Sequence, residues 1–385
     1  MSIFKKVSAG LLCAAMTVTL SSCNLGGPDS SYAAVINGQK IPAGVFISMQ
    51  YDAYYNAMSY VDPAQTTAET TTAAGEAAVT TAAVTTAFAD KTIEGKGVRE
   101  WINDEATKEM QKYAAIESKF DELGLAFNDN EPQKVQLYIE SLWEYYGPMY
   151  EGFGVSQDSI NLVTLNSEKK NYIFKHYYGA GGEKEVSEAD IRQYLTENNA
   201  RINYIPIALK DSEGNLLKSE GKAEMQAKAD EYIERAKNGE DFNALVHEYA
   251  DSLIAESDAD SETTAEIAAS AEEDHSQHSH NTIITKTGVT PDAAIVDKIF
   301  SGSVAVGDYF TVESTNGETL FVVHYLDLFS DETYYETNYD AALTALKGEE
   351  FEAEVEVWAS AQTVERNQAA YDRYKYEKFE SASLT

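Results

Sequence analysis

The sequence predicts an α+β fold in which a small α+β domain is inserted into a helical domain. Three observations predict this arrangement. Apolar residues recur at helical spacing from about residue 43 to 198. At Arg201 the pattern changes to the period-two alternation of a β-strand, and helical spacing returns in residues 331–385. Because helical segments both precede and follow the α+β segment, we expect the two helical parts to pack together.

The first 31 residues are predicted to be a signal and a tether. Two lysines precede an apolar run over residues 7–20, which is typical of a secretory signal and too short to span a membrane. The sequence LSSC, residues 20–23, is similar to the lipobox of bacterial lipoproteins; a plain signal with a chance cysteine is the alternative. We expect a signal peptide over 1–22, a lipid on Cys23 and a tether over 23–31. This would anchor the protein to the outer face of the bacterial cell membrane.

The composition is strongly acidic and rich in aromatic residues. The 385 residues carry a formal net charge of -35, with 25 Tyr and 14 Phe. An acidic surface without a basic patch repels nucleic acid, so we expect no nucleic-acid partner. So many aromatic residues are not typical of a disordered acidic chain. Both cysteines, Cys13 and Cys23, lie within the first 23 residues, and a mature chain without free thiols suits an oxidising compartment.

Residues 32–198 are predicted to form the helical domain. A short strand at Val35–Ile36 is followed by an Asn37-Gly38 turn, and Pro42 then precedes a helix that runs to about Tyr60. Apolar spacing predicts four further helices, over 98–123, 131–147, 156–176 and 187–198. Ser187 and Asp190 resemble a capping box at the start of the last of these. Residues 63–90 are almost entirely Thr and Ala, and we expect a disordered insertion; a threonine-rich β-segment is the alternative.

Residues 200–328 are predicted to form the small α+β domain. The strand RINYIPIAL, residues 201–209, places Ile205, Ile207 and Leu209 on one face and Ile202, Tyr204 and Pro206 on the other. Since proline cannot donate a ladder hydrogen bond, this strand either lies at an edge or is distorted at Pro206.

The rest of this domain follows in the order helix, helix, β-hairpin. A helix over 220–238 and a short helix capped by Asp241 come first. Residues 252–281 are acidic and rich in Ala and Ser, and we expect a disordered loop there. Strands at about 309–314 and 319–328, joined by Asn316-Gly317, close the domain. Residues 329–385 are then a helical segment that packs on the first domain.

Four stretches together resemble the PrsA/SurA class of extracytoplasmic foldases, in which a parvulin-type prolyl isomerase domain is inserted into a helical chaperone domain. They are AAVINGQKIPAGVF (33–46), RINYIPIAL (201–209), AKNGEDFNALVHEYADS (236–252) and VAVGDYFTVESTNGETLFVVHYLDL (304–328). The resemblance implies that 32–198 and 329–385 form the chaperone domain. It also implies that 200–328 is parvulin-like, and that the partners are unfolded or secreted client polypeptides.

The resemblance also assigns candidate pocket positions. Parvulins use two histidines, an acid or cysteine, and apolar residues around the proline ring. At the histidine positions this chain has Tyr204 and Phe321, and Phe300 keeps an apolar place. His324 falls on the opposite face by alternation. With no confident catalytic residue, we expect isomerase activity to be weak or lost.

Several alternatives remain at this point. The protein could instead be an active peptidyl-prolyl cis-trans isomerase, or a surface-displayed, adhesin-like binding lipoprotein. His275, His278 and His280 could bind zinc or copper weakly, but a solvated loop is favoured, and we expect no metal and no cofactor. Four tyrosines could line a groove for unfolded chains, although helix packing is their more frequent role: Tyr51, Tyr54, Tyr55 and Tyr60.

Overall fold

A computed structural model describes residues 29–60, 88–128, 130–256 and 281–382. The fold is α+β and divides into two compact units. Unit 1 holds the chain up to Tyr177 and from Glu350 onward, and unit 2 is Tyr178–Glu349. The chain therefore leaves unit 1 once and returns to it. The division lies outside the boundaries expected at 198/200 and 328/329, so the helix at 187–198 belongs to unit 2. Cys23 and the three loop histidines fall outside the described residues.

Unit 1 opens with a β-hairpin that the last part of the chain extends. Strands β1 (Tyr32–Ile36) and β2 (Gln39–Pro42) pair in antiparallel fashion through Asn37 and Gly38, whose φ values are 47° and 84°. Positive φ at both turn residues is the geometry that Asn-Gly favours. Strand β9 (Val364–Arg366) pairs with β1, which gives the order β2-β1-β9. The sequence missed β9 because three residues are too few to show a period.

Helices form the rest of unit 1. They are α1 (Ala43–Tyr60), α2 (Val98–Glu122), α3 (Glu131–Phe153), α4 (Gln157–Tyr178), α10 (Gln368–Arg373) and α11 (Glu377–Ala382). Helix α1 packs on α2 around Phe46, Ile102 and Met110, which are fully buried. Helix α3 runs six residues past the predicted end, because it continues through Pro148 and ends only at Gly154, where φ is 94°.

The expectation that residues 43–198 are all helical is wrong at one place. Strands β3 (Thr92–Ile93) and β4 (Lys96–Gly97) form a two-residue hairpin before α2, with positive φ at both turn residues, Glu94 and Gly95. Phe88–Asp90, the end of the predicted disordered insertion, forms a 3₁₀ helix, and Phe88 packs against the core of unit 1. The rest of that insertion, 63–87, lies outside the described residues.

Unit 2 is a four-stranded antiparallel sheet with helices on both faces. Its elements are α5 (Glu188–Asn198), β5 (Asn199–Ala208), α6 (Ser219–Lys237), α7 (Phe242–Glu256), β6 (Thr282–Thr285), α8 (Ala293–Phe300), β7 (Tyr309–Glu313), β8 (Thr319–Leu326) and the first part of α9 (Thr333–Ser360). The strand order is β6-β5-β8-β7. The predicted order lacked β6 and α8. The predicted cap is present, since the Ser187 hydroxyl accepts the Asp190 N–H at 3.1 Å.

The two faces of the sheet pack as the alternation predicts. Ile205, Ile207 and Leu209 face α6 and α7, whereas Ile202 faces α8. Helix α7 extends through residues 252–256, the first five of the predicted disordered loop, because the apolar residues there continue the helix. Residues 257–280 lie outside the described chain. In the described part of the chain, no helix is both long and apolar enough to cross a membrane.

Pro206 lies where β5 is an edge. Strand β6 pairs only with residues 199–202 of β5, so beyond Ile202 no described strand covers that side. The Leu209 N–H donates to the Glu318 carbonyl beside β8. Because amide directions alternate along a strand, the amides of even-numbered residues point away from β8. Pro206 therefore removes no ladder bond, and the edge alternative is the correct one.

Candidate functional site

The three predicted pocket positions lie on one face of the sheet of unit 2. Tyr204 on β5 and Phe321 on β8 make an edge-to-face ring contact, with centroids 5.6 Å apart and planes at 76°. Phe321 is buried and Tyr204 is half-buried. Phe300, the last residue of α8, packs against the same cluster. Alternation along β5 and β8 therefore brings these side chains to one surface, as the sequence implies.

The chemistry of this face is apolar. The buried members of the cluster are Ala200, Ile202, Ile284, Ile295, Val296, Ile299, Phe310, Phe321 and Val323. The Tyr204 hydroxyl has no hydrogen-bond partner in the described chain, and a phenylalanine ring neither donates nor accepts one. Helix α8 covers this face and buries Phe321, so the half-buried ring of Tyr204 is the more accessible of the two, and the pair offers one hydroxyl and no charge.

His324 lies on the other face, as predicted. Its ring stacks on Tyr309, with centroids 4.1 Å apart and planes at 19°, and contacts the edge of Phe242. Burial lowers the pKa of the His324 imidazole below its ordinary value, because the surrounding rings disfavour the charged form. A neutral imidazole held between aromatic rings serves packing on this face.

A polar cluster beside His324 was not predicted. Asn203, almost fully buried, is the cross-strand partner of His324. Its side-chain amide donates to Asn243 Oδ1 at 3.3 Å, and Asn243 Nδ2 lies 3.4 Å from Nε2 of His247. Asn203 Oδ1 also accepts the Tyr204 N–H at 2.8 Å on the open edge of β5. The sequence could have indicated this cluster, because Asn203 occupies a core-facing position of a strand with alternating apolar residues. The Asn203–Asn243 hydrogen bond links α7 to the sheet.

In unit 1, helix α3 exposes a set of large apolar side chains. Leu137, Tyr138, Tyr145 and Tyr146 are 61%, 58%, 77% and 56% exposed, and we call them the α3 aromatic patch. Tyr138 and Tyr145 are seven residues apart, so they lie on one face about 10 Å from each other. In the sequence, both tyrosines lie outside the helix face that contains the buried residues Val135 and Ile139.

The four tyrosines of α1 divide between core and surface. Tyr54 is buried, and Tyr51 packs against Phe153 and Phe379 with ring centroids 5.3 and 5.2 Å away. Tyr55 and Tyr60 are exposed. Packing therefore accounts for two of the four, and two remain on the surface.

Two adjoining cavities lie between the helices of unit 1. The first, of about 520 Å³, is bounded by α3 and α4, and Tyr138 lines it. The second, of about 410 Å³, is bounded by α1, α2, α4 and Val355 of α9. Val163 and Ser167 line both cavities, so the two adjoin along α4, and we call the pair of cavities the groove.

The charges along the groove are unevenly paired. Each lysine that lines it has a carboxylate partner: Lys112 pairs with Glu109 and Glu356, Lys134 with Glu131, and Lys170 with Glu352. Asp52 and Glu168 also line it, and neither has a cationic partner among the described residues. Asp52 is exposed to water at the groove, although helices α2 and α4 crowd around it. The resulting desolvation, with repulsion from Glu109, raises the pKa of the Asp52 carboxyl.

The described residues contain no group of three or more His, Cys, Asp or Glu side chains arranged to hold a metal ion. Three surfaces of the described residues are therefore taken forward as candidate sites: the half-buried face at Tyr204, the α3 aromatic patch and the groove.

Comparison with known proteins gives distant structural likenesses. No family model matches the chain, and no curated protein matches it. It is similar to PrsA from Bacillus subtilis at 14% identity and a TM-score of 0.26, over 70% of this chain and 87% of that chain. It is also similar to foldase protein PrsA from Streptococcus pneumoniae str. Canada MDR_19A at 12% identity and a TM-score of 0.27, over 74% and 98%. Likenesses this distant carry no argument about activity.

Proposed function

We propose that the protein is an extracytoplasmic foldase or chaperone that holds extended segments of secreted polypeptides on unit 1. The observation that carries the proposal is the α3 aromatic patch. Single exposed apolar residues are ordinary, but four large ones within ten residues of one helix are typical of an interaction surface. Tyrosine suits this role, because it offers a large rigid ring with a polar tip and loses little entropy on binding.

In this proposal unit 2 is a parvulin-type unit whose isomerase chemistry is weak or lost. Prolyl isomerisation must cross a barrier of roughly 18–20 kcal/mol, which calls for groups that stabilise the twisted amide. The Tyr204–Phe321 pair supplies one hydroxyl and no charge. The half-buried ring of Tyr204 is the part of this apolar cluster that a proline-containing segment would contact. A lipid on Cys23 would keep the protein at the membrane, where secreted chains emerge unfolded.

Aggregation of an unfolded client tests the chaperone proposal. The purified protein should suppress light scattering by a reduced, denatured client. Replacing Tyr138, Tyr145 and Tyr146 together by serine should remove most of that suppression. The matched control replaces exposed apolar residues of unit 2, Leu216→Ser and Val289→Ser, and should behave as the parent. Equal suppression by the tyrosine variant, or none by the parent protein, would contradict the proposal.

A proline-peptide assay tests the second part. We expect the purified protein to give little acceleration of cis-trans isomerisation, and Tyr204→Ala to change it little. Robust isomerisation that Tyr204→Ala abolishes would overturn this part and identify the protein as an active isomerase. The aggregation result stands independently of this outcome, since the two assays probe different units.

A further inference from the structure

We infer that the groove of unit 1 selects client segments in which lysine or arginine alternates with apolar residues. This inference rests on the proposed function and names its substrate class. The occupant is an extended polypeptide whose basic side chains face the unpaired carboxylates of the groove, while its apolar side chains face the groove walls.

The shape and lining of the groove suit an extended chain. Its first cavity is lined by Val135 and Tyr138, and its second by Met49, Ile116 and Val355. An extended strand rises about 3.3 Å per residue, with alternate side chains on opposite sides. One side of such a strand can therefore lie on these apolar walls. The long methylene stems of lysine and arginine also bury well against walls of this kind.

The charges that line the groove determine which charge a bound segment should carry. Its lysines are already neutralised, since Lys112 Nζ lies 2.9 Å from Glu109 and 2.6 Å from Glu356, and Lys170 Nζ lies 2.5 Å from Glu352. These ammonium groups are therefore not free to bind an acidic ligand.

Two carboxylates are left without compensation in the described chain. Asp52 projects from α1 into the second cavity, and Glu168 projects from α4 into the first. Cationic side chains of the client would form ion pairs with both carboxylates. The ring of Tyr138 adds a face on which a guanidinium can stack. The net charge of -35 attracts basic segments at longer range and repels acidic ones.

A bound inorganic cation fits these observations less well. Asp52 and Glu168 line different cavities, and no described set of three or more potential ligands is arranged around a metal. The apolar lining between the two carboxylates also favours an organic cation with a hydrocarbon stem.

The test compares three labelled peptides of about ten residues by fluorescence anisotropy with the purified full chain. They share one apolar sequence and carry Lys, Gln or Glu at alternate positions. We expect the order Lys, Gln, Glu in decreasing affinity, with the Lys preference shrinking as salt is raised. Asp52→Asn with Glu168→Gln should weaken the Lys peptide about five- to tenfold and leave the Gln peptide unchanged.

The matched control removes two charges elsewhere. Glu224→Gln with Glu231→Gln, on α6 of unit 2, changes the net charge equally and should leave the Lys preference intact. Far-UV circular dichroism confirms that each variant folds. Equal binding of the Lys and Gln peptides, or an unchanged preference in the groove variant, overturns this inference alone. If no peptide binds and the parent protein does not suppress aggregation, the proposed function falls with it.

Discussion

Replacing Phe379 by alanine tests whether the end of the chain completes the core of unit 1. Phe379, on α11, is 2% exposed. Its ring lies 4.9 Å from that of Phe153, 5.2 Å from Tyr51 and 5.8 Å from Tyr54, measured between centroids. A residue near the carboxyl end thus sits among side chains of α1 and α3, more than two hundred positions earlier in the sequence.

The expected cost follows from this packing. Replacing a buried phenylalanine by alanine typically lowers the free energy of unfolding by about 3–5 kcal/mol. Three rigid aromatic neighbours cannot collapse into the space, and each loses a ring contact, so we expect about 4–5 kcal/mol. Domains are stable by about 5–15 kcal/mol, so the loss is a large fraction of the total. For a unit of this size the midpoint of thermal unfolding should fall by about 8–20 °C.

Tryptophan fluorescence during urea denaturation isolates the effect. All three tryptophans, Trp101, Trp143 and Trp358, belong to unit 1, so the signal reports on that unit alone. Val357→Ala, at a position 66% exposed, is the control and should change stability by no more than about 0.5 kcal/mol. A loss below about 1 kcal/mol for Phe379→Ala would refute the reasoning, because it would show that α11 does not seal this core.

Three further predictions concern separate parts of the chain. Cys23→Ala should release the protein from the membrane fraction into the medium or buffer; unchanged retention would contradict lipidation. His324→Phe should flatten the fall in stability of unit 2 between about pH 7 and pH 5. The reason is that the pKa of His324 is lowered on folding, so the unfolded chain takes up the proton more readily and acid favours unfolding; equal slopes for parent and variant would contradict this. Ser187→Ala should destabilise α5 by about 1 kcal/mol through loss of its cap, whereas Ser187→Asp should retain most of the stability; both are measured by denaturation of unit 2 followed by tyrosine fluorescence or circular dichroism.

The elements predicted most accurately are those long enough to show several repeats of their apolar spacing. The helix over 98–123 and the strand over 201–209 have their predicted faces, and the turns at Asn37-Gly38 and Asn316-Gly317 are present. The strands that it missed are two to four residues long, and their pairing is set by distant partners rather than by local composition. Strand β9, for example, is defined by its antiparallel pairing with β1.

Helix α8 and the true extent of unit 2 were missed for a related reason. The eight residues Ala293–Phe300 are largely apolar, and so short a run does not distinguish a buried helix from a strand. The boundary at Tyr178 falls two residues after the helix predicted over 156–176, within the span that we assigned to one helical domain. Which helices pack with the sheet is decided by tertiary contacts that a helical period does not encode.

Of the candidate sites, the sheet face could be predicted and the groove could not. The resemblance placed Tyr204 and Phe321 in one pocket, and the β5/β8 register brings them to one surface. The exposure of Tyr138 and Tyr145 follows from the sequence only if Val135 and Ile139 are known to mark the core-facing side of α3. The groove depends on α1, α2, α3 and α4 meeting in space, so no local stretch of sequence contains it.

The register of β5 and β8 explains why the nearby His324 does not join Tyr204 and Phe321 on their face of the sheet. Eight consecutive pairs, from Arg201 with Leu326 to Ala208 with Thr319, fix this register. His324 could reach the face of Tyr204 only if β8 slipped by one residue, and such a slip would turn Phe321 and Val323 away from their buried cluster. The loss of two large apolar residues from a core far outweighs the gain of one polar contact. The packing that preserves this fold thereby keeps the face at Tyr204 apolar, and on this ground we propose that isomerase activity is weak or lost.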